Sequence, residues 1–390
     1  MSFDQVLDLR GNHSLKWDGM QNLHDVSPDD GLSMWVADMD FRSPDCVQDA
    51  VRQVQRRGHY GYFYDFADYK NAIAWWMQSR HGWHVEPDWI FTTFGLCNAL
   101  GLALHAYTAP GDGVVLFTPV YHAFARVIGA AGREVVECPL ANIDGRYEMD
   151  FDAYDARMTG REKMVVLCSP HNPGGRVWTL KELESVAAFC ERHDLLLVSD
   201  EIHQDLVFDG ASHIPMPLVT ADISKRLIMM TAPSKTFNTA GPHCGQVTIQ
   251  DPALRSRFAA VMAGLSVSPN TFGVVMTTAA YSEPGARWVD DLVIYLDENR
   301  RLFDQGINAI PGLKSMRMAA TYLAWVDFSD TGMTMDQVVA RVSQSARIAA
   351  NHGPTFGQGG DMFMRFNFGT QRSRVSEAVE RMAAAFSDLQ

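Results

Sequence analysis

A lysine in the second half of the chain has the type and setting of a nucleophile. Lys235 follows the very apolar run 227–231 and lies in the Ser/Thr/Gly-rich segment 231–241 (TAPSKTFNTAG). A lysine held in a pocket at such a place is desolvated, which lowers its pKa and makes its amine reactive toward aldehydes. Lys235 could therefore form a Schiff base. The alternative is an ordinary lysine in a surface loop, the commoner meaning of a single lysine.

An acid ends another apolar run, 35 residues before this lysine. The run 195–199 leads directly into Asp200, Glu201 and His203. A carboxylate there can keep a pyridine ring nitrogen protonated, so that the ring withdraws electrons from a carbanion. The same three residues could instead be metal ligands, although their spacing matches neither HExxH nor a calcium-binding loop.

Two further segments offer groups that could hold a ring and a phosphate. The segment 168–175 (CSPHNPGG) contains Asn172 in an Asn-Pro turn, which taken singly is only a β-turn. At the end of a strand, the Asn172 amide could donate to a ring oxygen. The segment 92–98 (TTFGLCN) has the pattern of a strand, a glycine and a helix, which presents free backbone N–H groups to a phosphate. Leu96 and Cys97 would contribute these amides.

These residues follow short apolar runs that alternate with amphipathic helices. Most runs are rich in Val, Ile and Leu, which is typical of strands buried on both faces of a mostly parallel sheet. The seven runs are 89–93, 114–117, 134–138, 164–168, 195–199, 227–231 and 246–249. The sequence therefore predicts an α/β fold with helices on both faces of the sheet. Ligands in such folds bind beyond the carboxyl ends of the strands.

The pattern differs at both ends of the chain. Helical spacing covers Val47 to Val54 and 66–80, and beyond Arg287 long helices surround strands near 323–327 and 363–368. We therefore expect a large domain over 46–286 and a smaller α+β domain over 287–390. The N-terminal segment 1–45 is expected to join the small domain.

Composition and charge restrict the partners. The 390 residues are 47% hydrophobic and 11% aromatic, as in a folded globular protein with more than one core. With 33 Lys plus Arg against 46 Asp plus Glu, the net charge of −13 disfavours binding to nucleic acid. The six cysteines form no CxxC pair, and the sequence contains neither a secretory signal nor a long apolar run. We expect a soluble cytoplasmic protein that binds neither nucleic acid nor a membrane.

The order of the motifs resembles the fold type I pyridoxal phosphate enzymes of the aminotransferase class I/II superfamily over nearly the whole chain. More specific motifs resemble the MalY/PatB-type carbon–sulfur lyases, the cystathionine β-lyase branch. These motifs are 35–41 (WVADMDF), 80–83 (RHGW), 119–122 (PVYH), 171–178 (HNPGGRVW), 200–203 (DEIH), 234–238 (SKTFN) and 356–360 (FGQGG). The resemblance implies a large domain with a mostly parallel seven-stranded sheet between helices, and a smaller α+β domain.

The resemblance also implies pyridoxal 5′-phosphate (PLP) as the cofactor, with no metal. Lys235 would carry it as a Schiff base and then act as the base that removes the α-proton of the substrate. The other cofactor-binding residues would surround the ring and its phosphate: Asp200 at the ring nitrogen, Asn172 at the ring oxygen, Tyr121 on the ring face, His203 nearby, the Leu96 and Cys97 amides and the Ser234 hydroxyl at the phosphate, and Tyr62 of the partner subunit.

A small amino-acid substrate would bind beside the cofactor. By the same resemblance, Arg365 would hold its α-carboxylate as a bidentate fork. The backbone at Ala37, together with Tyr121 and Asn172, would line the substrate's carboxylate side. The role of Tyr62 requires a homodimer whose active site is shared across the interface, although an aromatic cluster such as 59–64 (HYGYFY) also occurs in plain core or interface packing.

Two residues depart from the wider superfamily. Many of its aminotransferases have a tyrosine three residues after the pyridine aspartate, where this chain has His203, as in the lyase branch. Many also have a phosphate-binding arginine eight residues after the lysine, where this chain has His243. The charge of the phosphate is then less fully balanced. Each histidine could instead be a packed polar residue.

The branch resemblance predicts a PLP-dependent carbon–sulfur β-lyase. Such an enzyme converts cystathionine or cysteine S-conjugates to pyruvate, ammonia and a thiol. One alternative is a class I/II aminotransferase, because cofactor-binding motifs serve both reactions. A second alternative is a non-catalytic PLP-binding regulatory protein.

Overall fold

The computed structural model describes residues 3–64, 66–208 and 210–389. The described strands are β1 (Leu32–Ser33), β2 (Ile90–Thr93), β3 (Gly113–Leu116), β4 (Glu134–Glu137), β5 (Ala141–Ile143), β6 (Arg146–Glu148), β7 (Glu162–Cys168), β8 (Leu196–Asp200), β9 (Leu227–Thr231), β10 (Gly245–Thr248), β11 (Lys314–Ser315), β12 (Leu323–Asp327), β13 (Ile348–Ala349), β14 (Asn351–His352) and β15 (Phe363–Asn367). The helices are α1 (Leu15–Asp18), α2 (Met20–His24), α3 (Asp45–Arg57), α4 (Ala67–His81), α5 (Leu96–Tyr107), α6 (Ala123–Ala130), α7 (Phe151–Asp155), α8 (Leu180–Arg192), α9 (Pro252–Gly264), α10 (Thr271–Ala280), α11 (Glu283–Asn308), α12 (Met335–Ala340) and α13 (Arg372–Ala385).

A seven-stranded sheet forms the centre of the large domain. Its strand order is β2-β10-β9-β8-β7-β3-β4, and β10 is antiparallel to both of its neighbours while the other pairs are parallel. The first and last residues of each strand lie within two residues of the ends of one predicted apolar run. The predicted α/β fold with a mostly parallel seven-stranded sheet is therefore confirmed.

Helices cover both faces of this sheet, which explains why its central strands β8 and β9 are mostly apolar at successive positions. Val198 and Ile228 pack on one face with residues of α5 and α9, in a core that includes Phe258. Their neighbours Leu197 and Leu227 pack on the opposite face with residues of α8. Because successive side chains of a strand point to opposite faces, a strand covered on both sides needs apolar residues at every position.

A second sheet, with antiparallel strand order β11-β12-β15-β14, lies in the C-terminal part of the chain. The 26-residue helix α11 packs against α13 beside it. The N-terminal strand β1 pairs in parallel with β13, so the start of the chain is hydrogen-bonded to the C-terminal part. The boundaries at 45 and 286 stay a prediction. None of the helices in the described ranges is long and apolar enough to span a membrane.

Candidate active site

A cavity of about 310 Å³ lies where the parallel strands of the large sheet end. Its walls come from the segments that follow β2, β3, β7, β8 and β9, together with the N-terminal segment. The lining residues are Ala37, Phe94, Gly95, Leu96, Cys97, Tyr121, Phe124, Arg126, Cys168, Asn172, Asp200, Ile202, His203, Ser234, Lys235, Ala240, His243 and Cys244. Polar groups that are far apart in sequence therefore share one wall.

The register of the sheet brings the polar segments together. Cys168 at the end of β7, Asp200 at the end of β8 and Met230 near the end of β9 are aligned across three adjacent strands. Asn172 lies four residues beyond the first of these ends, and Lys235 lies five residues beyond the third. Because parallel strands end at the same edge, the side chains that follow them converge there.

Asp200 is a buried carboxylate without a cation paired to it in the described part of the chain. Its side chain lies on the cavity wall, and one oxygen, Oδ1, accepts a hydrogen bond from the Ile202 amide at 3.1 Å. Burial raises the pKa of Asp200 to about 7, while this hydrogen bond and the charge of Lys235 act in the opposite direction. A carboxylate in this state is suited to a cationic partner that enters the cavity.

Lys235 reaches the cavity from the loop after β9. Its Nζ atom donates to the carbonyl oxygen of Ala37 at 2.6 Å, and the Tyr322 hydroxyl donates to the same oxygen at 3.1 Å. Burial lowers the pKa of Lys235, with the charge of Asp38 opposing that effect. A larger share of its amine is then neutral at physiological pH than in an exposed lysine, as a nucleophile or base requires.

The loop that carries Lys235 is fixed on both sides of the lysine. Thr236 donates to the buried carboxylate of Asp205 at 2.8 Å. Asn238, with φ of 56°, uses its side-chain amide to bind the backbone of Met39 at 2.9 and 2.8 Å and the carbonyl of Phe41 at 2.9 Å. The N-terminal segment therefore positions the lysine loop as well as supplying the oxygen at Ala37.

Arg365 lies behind this wall, on β15, and holds Asn172 in place. Its guanidinium donates to Asn172 Oδ1 at 3.0 Å, to the Trp35 carbonyl at 2.9 Å and to Asn351 Oδ1 at 2.6 Å. The side chain is buried, its Nε atom has no partner, and no described carboxylate pairs with it. Burial lowers its pKa to about 10, so it remains a cation. Since Arg365 occupies Asn172 Oδ1, the amide nitrogen of Asn172 is the end left to donate elsewhere.

The other side of the cavity is the N-terminus of α5. Gly95 has φ of 84°, a conformation that favours glycine, and it precedes the helix without a side-chain cap. The first backbone N–H groups of α5, from Leu96 onward, are therefore available to an anion, and the positive end of the helix dipole favours one. Ser234 and His243 line the cavity as well, and a Cβ atom added at Gly95 would lie 3.9 Å from His243 Nδ1.

Comparison with known proteins agrees with this geometry. The family model for aminotransferase class I and II matches residues 32–382. The chain belongs to this family. Cystathionine beta-lyase PatB of Bacillus subtilis (strain 168) is 35% identical over 390 residues, which cover 99% of this chain and 100% of PatB.

Two solved structures are also similar to this chain over nearly its full length. Cystalysin from Treponema denticola, which contains a pyridoxal 5′-phosphate cofactor, matches with a TM-score of 0.95 and 33% identity, covering 100% of this chain and 99% of cystalysin. The PLP-bound C-S lyase from Staphylococcus hominis matches with a TM-score of 0.91 and 28% identity, covering 99% and 98%. The predicted family is thus confirmed.

The structure places nine of the eleven predicted site residues of this class I/II family member on the cavity. The two others lie elsewhere. Arg365 is behind the wall and touches it through Asn172, and Tyr62 is fully exposed and does not line the cavity of its own chain. The individual roles of the eleven residues stay predictions.

Sequence reasoning missed several residues around the site. Arg126 lines the cavity from α6, and none of the sequence motifs includes it. Asp205 accepts hydrogen bonds from Trp76 at 3.0 Å, from His81 at 2.8 Å and from Thr236 at 2.8 Å. His81 lies in the segment 80–83 of the family resemblance, which was a usable signal, whereas Arg126 had none.

The alternative of a metal site at Asp200, Glu201 and His203 is not supported. The Glu201 carboxylate is fully buried and accepts from Ser199 at 2.8 Å, from the Met216 amide at 2.9 Å and from His213 at 2.6 Å. It therefore has partners outside the group. Within the described residues, no group of three His, Cys, Asp or Glu side chains is arranged to hold a metal ion.

Proposed function

We propose that this chain is a PLP-dependent carbon–sulfur β-lyase that converts cystathionine or other cysteine S-conjugates to pyruvate, ammonia and a thiol. The comparisons bear out PLP dependence and an enzyme of this class. The observation that carries the proposal is the meeting of Lys235, Asp200 and Asn172 at one cavity, with Arg365 held on Asn172. A protein that kept the fold only to bind the cofactor would not need all four.

The charges of the cavity residues match those of the cofactor both at its ring nitrogen and at its phosphate. Asp200 would hold the ring nitrogen, because it is a buried carboxylate that lacks a paired cation. The free amides of Leu96 and Cys97 and the Ser234 hydroxyl would hold the phosphate, and the Asn172 amide would hold the ring oxygen. When bound, PLP supplies an aldehyde that joins to an amine and a ring that withdraws electrons from the α-carbon of an amino acid.

Lys235 would supply the amine and would move the α-proton. Its lowered pKa and its position on the cavity wall support both roles. Tyr121 lies on the same wall, and burial raises its pKa to about 12, so its hydroxyl remains a donor at physiological pH. Its ring would cover one face of the bound cofactor.

Arg365 would bind the α-carboxylate of the substrate. A buried guanidinium that has only neutral hydrogen-bond acceptors around it in the described chain, and an Nε atom without a partner, is suited to an incoming carboxylate. The Trp35 carbonyl, which accepts from Arg365, is two residues from Ala37, whose carbonyl accepts from Lys235. The substrate is therefore expected to enter with its carboxylate toward β15.

Removal of the α-proton is shared by β-elimination and transamination, so one assay must separate them. The purified, PLP-loaded protein is mixed with cystathionine, with and without an added keto acid. Release of pyruvate and free thiol without keto acid is the expected result. Turnover that requires the keto acid would identify an aminotransferase instead. A protein that keeps its cofactor and turns over neither mixture would be the binding protein.

We further propose a homodimer in which Tyr62 of the partner subunit completes each site. The side chains of Tyr60, Tyr62 and Tyr64 are 60%, 107% and 96% exposed, an unusual density of exposed aromatic rings that favours a protein interface.

A cytoplasmic location stays a prediction.

Complementation tests the shared site. If the site is shared, the homodimer of Tyr62→Ala and the homodimer of Lys235→Ala should each be nearly inactive. A mixed dimer of the two variants contains one site with both native residues. Co-refolded or co-expressed variants should regain about one quarter of wild-type activity, because half of random dimers are mixed and each has one intact site. If Tyr62 serves its own chain, mixing restores nothing.

A further inference from the structure

Arg126 is an exposed cation on the wall of the active-site cavity. It lies on α6, five residues after Tyr121, and it lines the cavity together with Lys235 and Asn172. Its side chain is exposed, unlike that of Arg365. Across residues 3–64, 66–208 and 210–389, no carboxylate is paired with it. Its charge is therefore available to a ligand.

The cavity has few negative groups to compete for this cation. Of the described lining residues, Asp200 is the one carboxylate, and it is buried. The cations Lys235 and Arg126 line the same cavity, and Arg365 stands behind it. Although the whole chain carries a charge of −13 and the Asp38 charge acts on Lys235, the cations on the described lining outnumber the carboxylates, which favours an anionic ligand.

The charges of two guanidiniums act on the same pair of neighbouring side chains, Tyr121 and His122. Burial, together with the charges of Arg365 and then Arg126, lowers the pKa of His122 to about 4. Both arginines also act on the neighbouring Tyr121. Arg365 is buried and Arg126 is exposed, and the charge of each acts on the Tyr121–His122 pair.

We propose that Arg126 selects substrates whose leaving thiol carries a second anionic group, that is, cysteine thioethers that end in a carboxylate. The inference rests on the proposed lyase function, in which Arg365 holds the α-carboxylate. With that end fixed at the buried guanidinium, the group attached to sulfur extends toward the open side of the cavity. Arg126 is the exposed cation on the cavity lining, and in this proposal it binds the distal carboxylate by a charge-assisted hydrogen bond.

A competing role for Arg126 is contact with the cofactor phosphate, since its charge also reaches Cys97 at the start of α5. The phosphate end already offers the helix amides, Ser234 and His243. For a second anion on the substrate, Arg126 is the exposed cation among the described lining residues. The substrate role is therefore the one that the distribution of charges favours.

The test compares ligands that have the same chain length but a different charge at the end of the chain. S-carboxymethylcysteine and S-ethylcysteine differ only in the terminal carboxylate, and kcat/KM is measured for both with wild type, Arg126→Gln and Arg126→Glu. Arg161→Gln is the matched control, because Arg161 is an exposed arginine that does not line the cavity. The ratio of acidic to neutral conjugate should fall on the order of tenfold in Arg126→Gln and further in Arg126→Glu, and it should stay at the wild-type value in Arg161→Gln.

Binding supplies a readout that does not depend on turnover. 2-Aminoadipate and norleucine have the same chain length, lack a leaving group and differ in one carboxylate; their affinities for the loaded protein are measured by calorimetry. Cofactor affinity of each variant is measured in parallel. Loss of preference for 2-aminoadipate in Arg126→Gln supports the proposal.

Three results separate the explanations. An unchanged ratio and unchanged ligand preference in Arg126→Gln overturn the proposal. A loss of cofactor affinity with an unchanged ligand preference overturns it in favour of the phosphate contact. If wild type releases thiol from no conjugate, the lyase function fails, and the 2-aminoadipate and norleucine affinities still decide the role of Arg126.

Discussion

The buried Asp200 makes the cofactor-free protein less stable as the pH rises. Its pKa is raised from 3.8 to about 7 in the folded protein, mainly by desolvation. Between these two values the folded protein holds a proton that the unfolded chain has lost, so the free energy of unfolding falls as the pH rises. Below the lower value both states are protonated and Asp200 contributes nothing. Above the upper value the full cost of the buried charge is present.

The size of this cost follows from the shift. About 3 pKa units correspond to at most about 4 kcal/mol. An unfolding entropy of about 2.1 cal/mol/K per residue gives about 0.8 kcal/mol/K for this chain, so the cost lowers Tm by about 5 °C. Asp200→Asn removes the charge. At pH 8 the cofactor-free variant should therefore unfold about 5 °C above cofactor-free wild type, and at pH 4 the two should differ far less.

The assay is calorimetric unfolding of both cofactor-free proteins from pH 4 to pH 8 at constant ionic strength. Asp194→Asn is the control, because it removes the charge of an aspartate whose side chain is 100% exposed and whose ion pair with Arg226, at 3.6 Å, lies away from the cavity. Other titrating groups, such as the buried His203, are common to all three proteins. A gap between wild type and Asp200→Asn that is equal at both ends of the pH range would refute the reasoning, as would a wild type that is the more stable protein at pH 8.

Three other variants test the site and its support. Lys235→Ala should lose turnover, the yellow colour of the bound cofactor and the hydride-trapped adduct; retained turnover removes this lysine from the mechanism. Arg365→Ala should weaken amino-acid binding roughly 30-fold or more, and much more than it weakens cofactor binding, because one partner of a buried charge pair is lost; equal losses of both affinities contradict this. Asp205→Ala should lower the free energy of unfolding by about 3–5 kcal/mol, since three buried donors lose their acceptor. Asp205→Asn should lose less, because its oxygen still accepts from Trp76 and His81; equal losses in urea unfolding would argue against the network.

The large sheet was predictable because each of its strands is a local pattern. A strand covered on both faces must be apolar at successive positions, and Leu197 and Val198 on opposite faces of β8 illustrate why the run is continuous. These runs predict the strands. They also predict that Asp200 lies at the end of β8 and that Lys235 lies in the loop just after β9. Short strands such as β1 and β14 have two residues each and carry no pattern of this kind.

Contacts between distant segments were not predictable from local pattern. Asn238 binds the backbone of Met39 across 199 positions, and Lys235 binds the Ala37 carbonyl across 198. Neither contact leaves a periodicity in the sequence. Arg126 is similar, because its helix is amphipathic and an exposed arginine on such a helix has the appearance of an ordinary surface residue. Only the fold shows that this surface faces the cavity.

Two buried charges at the cavity, Asp200 and Arg365, have no ion-pair partner among the described residues. Elsewhere, Lys16 pairs with Asp40 at 3.0 Å and the Glu201 carboxylate binds His213 at 2.6 Å, whereas the buried Arg133 and Glu162 are held by neutral hydrogen-bond partners. At the cavity, Asp200 has no paired cation and Arg365 no paired carboxylate among the described residues. A folded chain tolerates such charges at a cost in stability. The cost is recovered when a ligand brings the missing partners: a cation for Asp200 and a carboxylate for Arg365, the two charges that a protonated ring nitrogen and an amino acid supply together.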